Sequence, residues 1–80
     1  MLNIKEYIDV NPEILSGNPV FKGTRVPVDS LFMHLEKGLL LEEFLDDFPT
    51  VSRQQAIAIL DIAGKIFSSK NILSIYDSAA

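Results

Sequence analysis
Three of the chain's four prolines, Pro12, Pro19 and Pro27, fall within its first 27 residues, and that placement constrains the fold more than any other feature. A proline lacks the backbone N–H that a helix needs and pushes the residue before it toward extended backbone. Helix is thereby disfavoured in the first third of the chain. Asn11-Pro12 and Ser16-Gly17-Asn18-Pro19 are turn formers, while "EIL", "VF" and "RVPV" carry the β-branched and aromatic content of short strands. The pattern predicts a twisted β hairpin or ribbon over residues 1–28, with Gly23 supplying a bulge or tight bend.

Beyond Pro27 the period changes. Val28, Leu31, Phe32 and Leu35 stand at i, i+3, i+4 and i+7, one face of a helix, and Gly38 is placed to end it in the left-handed conformation. Leu41, Phe44, Leu45 and Phe48 repeat the spacing over about two turns, and Pro49 stops that helix. Ser52, three residues ahead of Gln55, has the spacing of a capping box and opens a third helix. Along it Ala56, Ile59, Leu60, Ile62, Ala63, Ile66 and Phe67 sweep an apolar arc of about 160°. That is wider than one core needs, so one flank is expected in the domain's own core and another against a partner. Ile57 lies outside the arc, among Arg53, Gln54, Asp61, Gly64 and Lys65. In the tail, Ser68-Ser69-Lys70-Asn71 breaks the pattern, and Ile72, Leu73, Ile75 and Tyr76 form an apolar cluster suited to docking as a strand or a helical turn. The expected architecture is a mostly α single domain. It has a β element over residues 1–28, a three-helix helix-turn-helix over 29–67, and a tail over 68–80 that docks on a dimer or a partner.

A chain of this length buries only about two thirds of the surface its unfolded form exposes, and 48% of these residues are apolar. More apolar surface is on offer than one such core absorbs, so a homodimer or capture of a protein partner is expected. The absence of cysteine excludes disulfides and thiolate metal sites and suits a reducing cytoplasm. No apolar block near the N-terminus has the length of a signal-peptide core, and Asp61 and Lys65 interrupt the longest apolar segment, so no membrane association is expected. The net charge of −4 is the wrong sign for indiscriminate binding to nucleic acid. Contact with DNA would need a locally basic patch, doubled by a dimer.

Catalysis has little to draw on. His34, the one histidine, falls on the far side of the first helix from Val28, Leu31 and Leu35 and reads as a solvated surface residue. No second histidine and no cysteine exist to build a triad or a metal cluster. Glu42, Glu43, Asp46 and Asp47 occupy the non-core positions of the second helix and read as a solvated acidic face. No metal, cofactor or enzymatic activity is expected. Lys22 and Arg25 flank a Gly-Thr pair without the spacing of a phosphate loop that leads into a helix. Either Arg25 pairs with an acidic residue, across a dimer for example, or Lys22 and Arg25 stand on the ribbon as phosphate contacts. At the start of the third helix, Arg53 and Gln54, with Gln55 or Ala58 beside them, are what a helix-turn-helix aims at a major groove. There Arg forks onto guanine and Gln onto adenine. Asp61 in the same stripe and the acidic second helix oppose that contact.

The run "IDVNPEILSGNPVFKGTRVPV", followed by "LEKGLLLEEFLDDFP" and "RQQAIAILDIA", resembles the family of small prokaryotic proteins described as domain of unknown function 433, from about Ile8 to Phe67. The pattern is an Asn/Asp-Pro, a Gly-x-Pro, a Gly-Thr-Arg before an apolar residue, and a Glu-Glu pair ahead of an aromatic-Pro. Its core here is Gly17, Pro19, Gly23, Thr24 and Arg25. The resemblance implies a homeodomain-like three-helix unit with an N-terminal β element, usually dimeric. It also implies the antitoxin role of a type II toxin–antitoxin pair, similar to VapB-type antitoxins that repress their own operon and cover a PIN-like ribonuclease toxin. On that expectation Arg53 and Gln54 read operator DNA, Lys22 and Arg25 contact phosphates, and Ile57, Ile62, Ile72, Leu73, Ile75 and Tyr76 meet the toxin. The alternative is a protein-only adaptor or inhibitor on the same scaffold. The chain departs from the family pattern at Leu40, where Ser or Thr commonly caps the second helix. Losing that cap costs roughly 1 kcal/mol, and Leu39-Leu40-Leu41 then suits packing against a partner.

Overall fold
In the computed structural model, which describes residues 3–79, the β element is smaller than the strand content of the sequence suggests. Met1, Leu2 and Ala80, at the outer ends of the expected ribbon and tail, lie outside the described residues. Two dipeptides, β1 (Ile8–Asp9) and β2 (Val20–Phe21), pair antiparallel with Ile8 opposite Phe21 and Asp9 opposite Val20. Of the strand expected over residues 25–28, a single bridge between Val20 and Pro27 is present. Pro27 has no N–H to extend a ladder. The strand expected at residues 13–15 gives way to a turn. Leu15, Ser16 and Gly17 have φ of 49°, 56° and 84°, in the left-handed region where each non-glycine residue costs about 1–2 kcal/mol. Asn11 Oδ1 accepts the Glu13 N–H at 2.9 Å, so the turn chemistry of Asn11-Pro12 outweighs the β propensity of Ile14 and Leu15.

Four helices follow: α1 (Asp29–Glu36), α2 (Leu41–Asp47), α3 (Arg53–Ser68) and α4 (Lys70–Ser78). Gly38 closes α1 with φ of +81°, while the Leu39 N–H donates to the His34 carbonyl at 3.1 Å. This is the left-handed stop expected of a glycine there. The capping box at α3 is also formed: Ser52 Oγ accepts the Gln55 N–H and Gln55 Oε1 accepts the Ser52 N–H, both at 3.0 Å. At α2 half of such a box survives. Leu40 has no oxygen to offer, but Glu43 Oε2 accepts the Leu40 N–H at 3.1 Å.

The three-helix expectation falls short by one, because the tail is a nine-residue helix. The Ser68-Ser69 break does not end helical structure; it restarts it at an angle. Ser69 Oγ donates to the Ile66 carbonyl at 2.9 Å and accepts the Asn71 N–H at 3.2 Å, ending α3 and capping α4 with one hydroxyl.

The core gathers side chains from β2, α1, α2, the loop after α2 and the first half of α3. Phe21, Leu31, Phe44, Val51, Ala56 and Ile59 form the buried cluster, and Val20 and Ala58 are buried beside it. Phe44 sits at its centre, 6.0 Å from Phe21 and 5.1 Å from Phe48 between ring centroids. Among the described residues every buried one lies between Val20 and Ile59, so α3 runs on beyond the core and α4 lies wholly outside it. The molecule thus has a head, up to about Leu60, and an arm made of the rest of α3 and α4. Among the described residues no helix is long and apolar enough to cross a membrane.

His34 corrects the sequence expectation of a solvated histidine. It is half-buried, edge-on to Phe44 and Phe48 at centroid distances of 5.3 and 5.4 Å. Its Nδ1 lies 2.8 Å from the Ser30 carbonyl and so donates to it, and Nε2 lies 3.4 Å from Asp47. The apolar period of α1 marks the face turned to the core. It gives no sign that α2 folds back over a second face.

Candidate functional site
The motif around Gly23 is a tight turn held from inside and outside. The Phe21 N–H donates to the Val26 carbonyl and the Thr24 N–H to the Phe21 carbonyl, both at 3.0 Å. Thr24 Oγ1 donates to the Phe21 carbonyl at 2.8 Å and accepts the Val26 N–H at 3.0 Å, so the hydroxyl bridges the loop. Gly23 has φ of +76° with open space where a Cβ would stand, so its requirement is the backbone conformation alone. From outside, Asp9 Oδ2 accepts the Gly23 N–H at 3.1 Å, and Asp9 Oδ1 lies 3.5 Å from Lys22 Nζ. Lys22 Nζ also donates to the Lys5 carbonyl at 3.3 Å.

Gln55 fastens this turn to the helices. While its Oε1 completes the α3 cap, its Nε2 donates to the Lys22 carbonyl at 2.9 Å, across 33 residues of sequence. One amide therefore sets the segment carrying Lys22 and Arg25 against the first turn of α3, where Arg53 and Gln54 are exposed. The four residues expected at DNA are thus carried on two segments that touch.

Their side chains differ in freedom. Arg25 is exposed and makes no ion pair among the described residues. Lys22 shares Asp9 at an exposed distance of 3.5 Å. Arg53 forks onto both carboxylate oxygens of Glu42. That hydrogen bond holds the Glu42 carboxyl below its ordinary value, against the desolvation of the group and with the charge of Arg53 adding to it. The same bond, followed by the charge of Glu42, raises Arg53. Both groups are solvent-exposed, so the pair contributes little to stability. Gln55 and Ala58, expected beside Arg53 and Gln54, are placed otherwise. Gln55 is spent on the cap and the turn, and Ala58 is buried at 6% exposure because α3 is covered on more than one side.

The apolar residues expected at a partner do not share one surface. Ile57 is 48% exposed on α3, about 180° around the helix from Ile66. Ile62 is half-buried against the core and Ile72 is half-buried on α4. Leu73, Ile75 and Tyr76 are exposed at 62%, 60% and 77%. Two residues of the wide apolar arc of α3 join them: Ile66 and Phe67, exposed at 47% and 70%. The acidic side chains Glu42, Glu43, Asp46 and Asp47 are all exposed, and among the described residues no group of three or more His, Cys, Asp or Glu could hold a metal ion. Asp9 and the second bond of Gln55 escape sequence reasoning, since neither is marked by a local spacing.

A mostly helical unit with four helices, its two-stranded antiparallel ribbon clamped to the third, is the class of protein these elements define. The family model described as a protein of unknown function (DUF433) matches residues 8–63, and the chain belongs to that family. The match covers the ribbon, α1, α2 and α3 as far as Ala63, and stops before α4. The uncharacterized protein y4eO of Sinorhizobium fredii (strain NBRC 101917 / NGR234) is 33% identical over 51 residues, 64% of this chain. The matching segment spans 23% of that relative's length. No solved structure matches the chain.

Proposed function
We propose that this chain is a DNA-binding, self-repressing antitoxin of a type II toxin–antitoxin pair, working in the cytoplasm and without catalytic activity of its own. The observation that carries this reading is the 2.9 Å bond from Gln55 Nε2 to the Lys22 carbonyl, because it holds a basic turn beside the exposed start of a helix. In this reading α2 and α3, joined through residues 48–52, act as a homeodomain-like helix-turn-helix. Arg53 and Gln54 enter the major groove, and Lys22 and Arg25 reach the flanking phosphates. Among the described residues Arg25 has no ion pair to give up, and Arg53 leaves only an exposed one. With a net charge of −4 a single copy is a poor ligand for DNA. A homodimer doubles the basic strip and addresses two half-sites. Ile57 and the arm, with Ile62 and Ile72 behind, are the surface for protein partners. The partner that resemblance to VapB-type antitoxins implies is a PIN-like ribonuclease.

The test is binding of duplex DNA from upstream of the chain's own gene as salt is varied. Arg53→Ala is expected to cost about 1–3 kcal/mol, and Arg25→Ala to lower the salt slope by about 1 per copy. Absence of binding at low salt, both alone and with a co-expressed ribonuclease, overturns the repressor reading. A second reading is favoured by the Glu42–Arg53 fork beside the acidic Glu43, Asp46 and Asp47. In it the chain is a protein-only adaptor or inhibitor that co-purifies with one protein and is indifferent to DNA and to both arginine substitutions.

A further inference from the structure
α4 is nine residues long and gives no side chain to the core. Isolated helices shorter than about 12–15 residues are marginal in water, so such a helix gains by being covered. Its charges are set against its own dipole. Lys70 stands at the N-terminal end, where the helix dipole is positive, and Asp77 near the C-terminal end, where it is negative. Both are exposed, and neither makes an ion pair among the described residues.

Lys70 and Asp77 are seven residues apart, so they lie within about 20° of each other around the helix and about 10 Å apart along it. They form one flank of the apolar face made by Ile72, Leu73, Ile75 and Tyr76. In a parallel helix pair, one flank meets the opposite flank of the neighbour, which would leave these two without each other. In an antiparallel pair like flank meets like flank, and a cation-first, anion-last order becomes its own complement.

We propose that the α4 helices of two copies of this chain pair antiparallel about a two-fold axis, each Lys70 facing Asp77 of the second copy. The axis passes at the level of Leu73 and Ser74, midway between the charges, so the two Leu73 side chains meet at the centre and Tyr76, three residues on and about 60° around the helix, extends the contact. Each Lys70 then also lies beside the carbonyl end of the opposing helix, which removes the conflict with the dipole. Ile66 and Phe67, on the adjoining stretch of α3, supply apolar surface at the rim. This assigns the homodimer of the proposed function to a definite face, and it leaves Ile57 on the far side of α3 open to another protein.

Sedimentation equilibrium of the full chain alone, without DNA or ribonuclease, tests the pairing, so its failure is distinguishable from failure of the DNA reading. The expected result is a concentration-dependent dimer. Lys70→Glu alone or Asp77→Lys alone turns two symmetric attractions into repulsions and weakens the dimer roughly tenfold. The double reversal Lys70→Glu/Asp77→Lys restores it to within about twofold, a coupling that independent effects cannot give. Leu73→Asp, at the centre, abolishes it. Circular dichroism at matched concentration reports whether the head remains folded in each variant. A chain monomeric at millimolar concentration, a double reversal no better than the singles, or a dimer indifferent to Leu73→Asp overturns the proposal. The last of these outcomes places the dimer on another face.

Discussion
Between Val20 and Ile59 each strand or helix that can reach the centre gives a side chain to one core, whereas Ile66, Phe67, Leu73, Ile75 and Tyr76, further along the chain, all remain exposed. The two regions use the same kinds of residue. What separates them is the presence of an opposing element: α3 meets β2 and α2 along its first half and projects past them along its second. Burying a large apolar side chain is worth about 1.5–3 kcal/mol, and the arm leaves that stabilisation unused until something covers it. The head closes a core of its own, whereas the large apolar side chains of the arm stay open to solvent.

The sharpest way to break the comparison is to empty both regions of an aromatic ring. Phe44→Ala in the head is expected to destabilise by about 3–5 kcal/mol, read by urea unfolding. Phe67→Ala in the arm is expected to stay within about 0.5 kcal/mol at dilutions where the chain is monomeric. Equal losses would mean that the arm belongs to the core after all. A smaller effect is expected at the turn that joins ribbon to helices. Gly23→Ala forces a side chain to φ of +76°, at a cost of about 1–2 kcal/mol, with a matching fall in melting temperature. The helix caps of the head come next. Leu40→Ser restores an oxygen to the start of α2 and should add up to about 1 kcal/mol of thermal stability. An unchanged melting point would show that Leu40, 65% exposed, already gains as much from apolar contact.

The smallest effect is that of pH on the link between α2 and α3. The Glu42 carboxyl lies below its ordinary value of 4.5, chiefly through the hydrogen bond from Arg53. A carboxylate lowered in the folded state contributes its stability above the ordinary glutamate value and loses it as pH falls through the lowered one. Acidification through that range should therefore release Arg53, and Arg53→Ala should return the Glu42 titration, followed by carbon-13 NMR, to the ordinary glutamate range.

Helix starts and stops in the head were legible because each depends on residues within one turn. Gly38, Pro49 and the Ser52–Gln55 box all act where their types and spacings indicate. The strands were less legible. "EIL" and "RVPV" have β propensity, but the neighbouring turn residues and Pro27 hold the pairing to two residues on each strand. The Ser68-Ser69 break misled in the other direction, since a serine that can end a helix can also cap the next. At the candidate site, the types and positions of Lys22, Arg25, Arg53 and Gln54 were readable. Their convergence was not, because the bond that joins the turn to α3 spans 33 residues and follows no local pattern.

The sequence by itself determined where the backbone must turn, where helices begin, and that apolar surface exceeds one small core, since these follow from each residue's own dihedral preferences and from composition. Only the tertiary structure decided that His34 packs between two phenylalanines, that Asp9 and Gln55 hold the Gly23 turn, and that the apolar stripe of α3 is half core and half exposed. Those outcomes depend on which distant elements come to lie opposite one another, and a side chain's chemistry carries no record of its neighbour until the chain has closed.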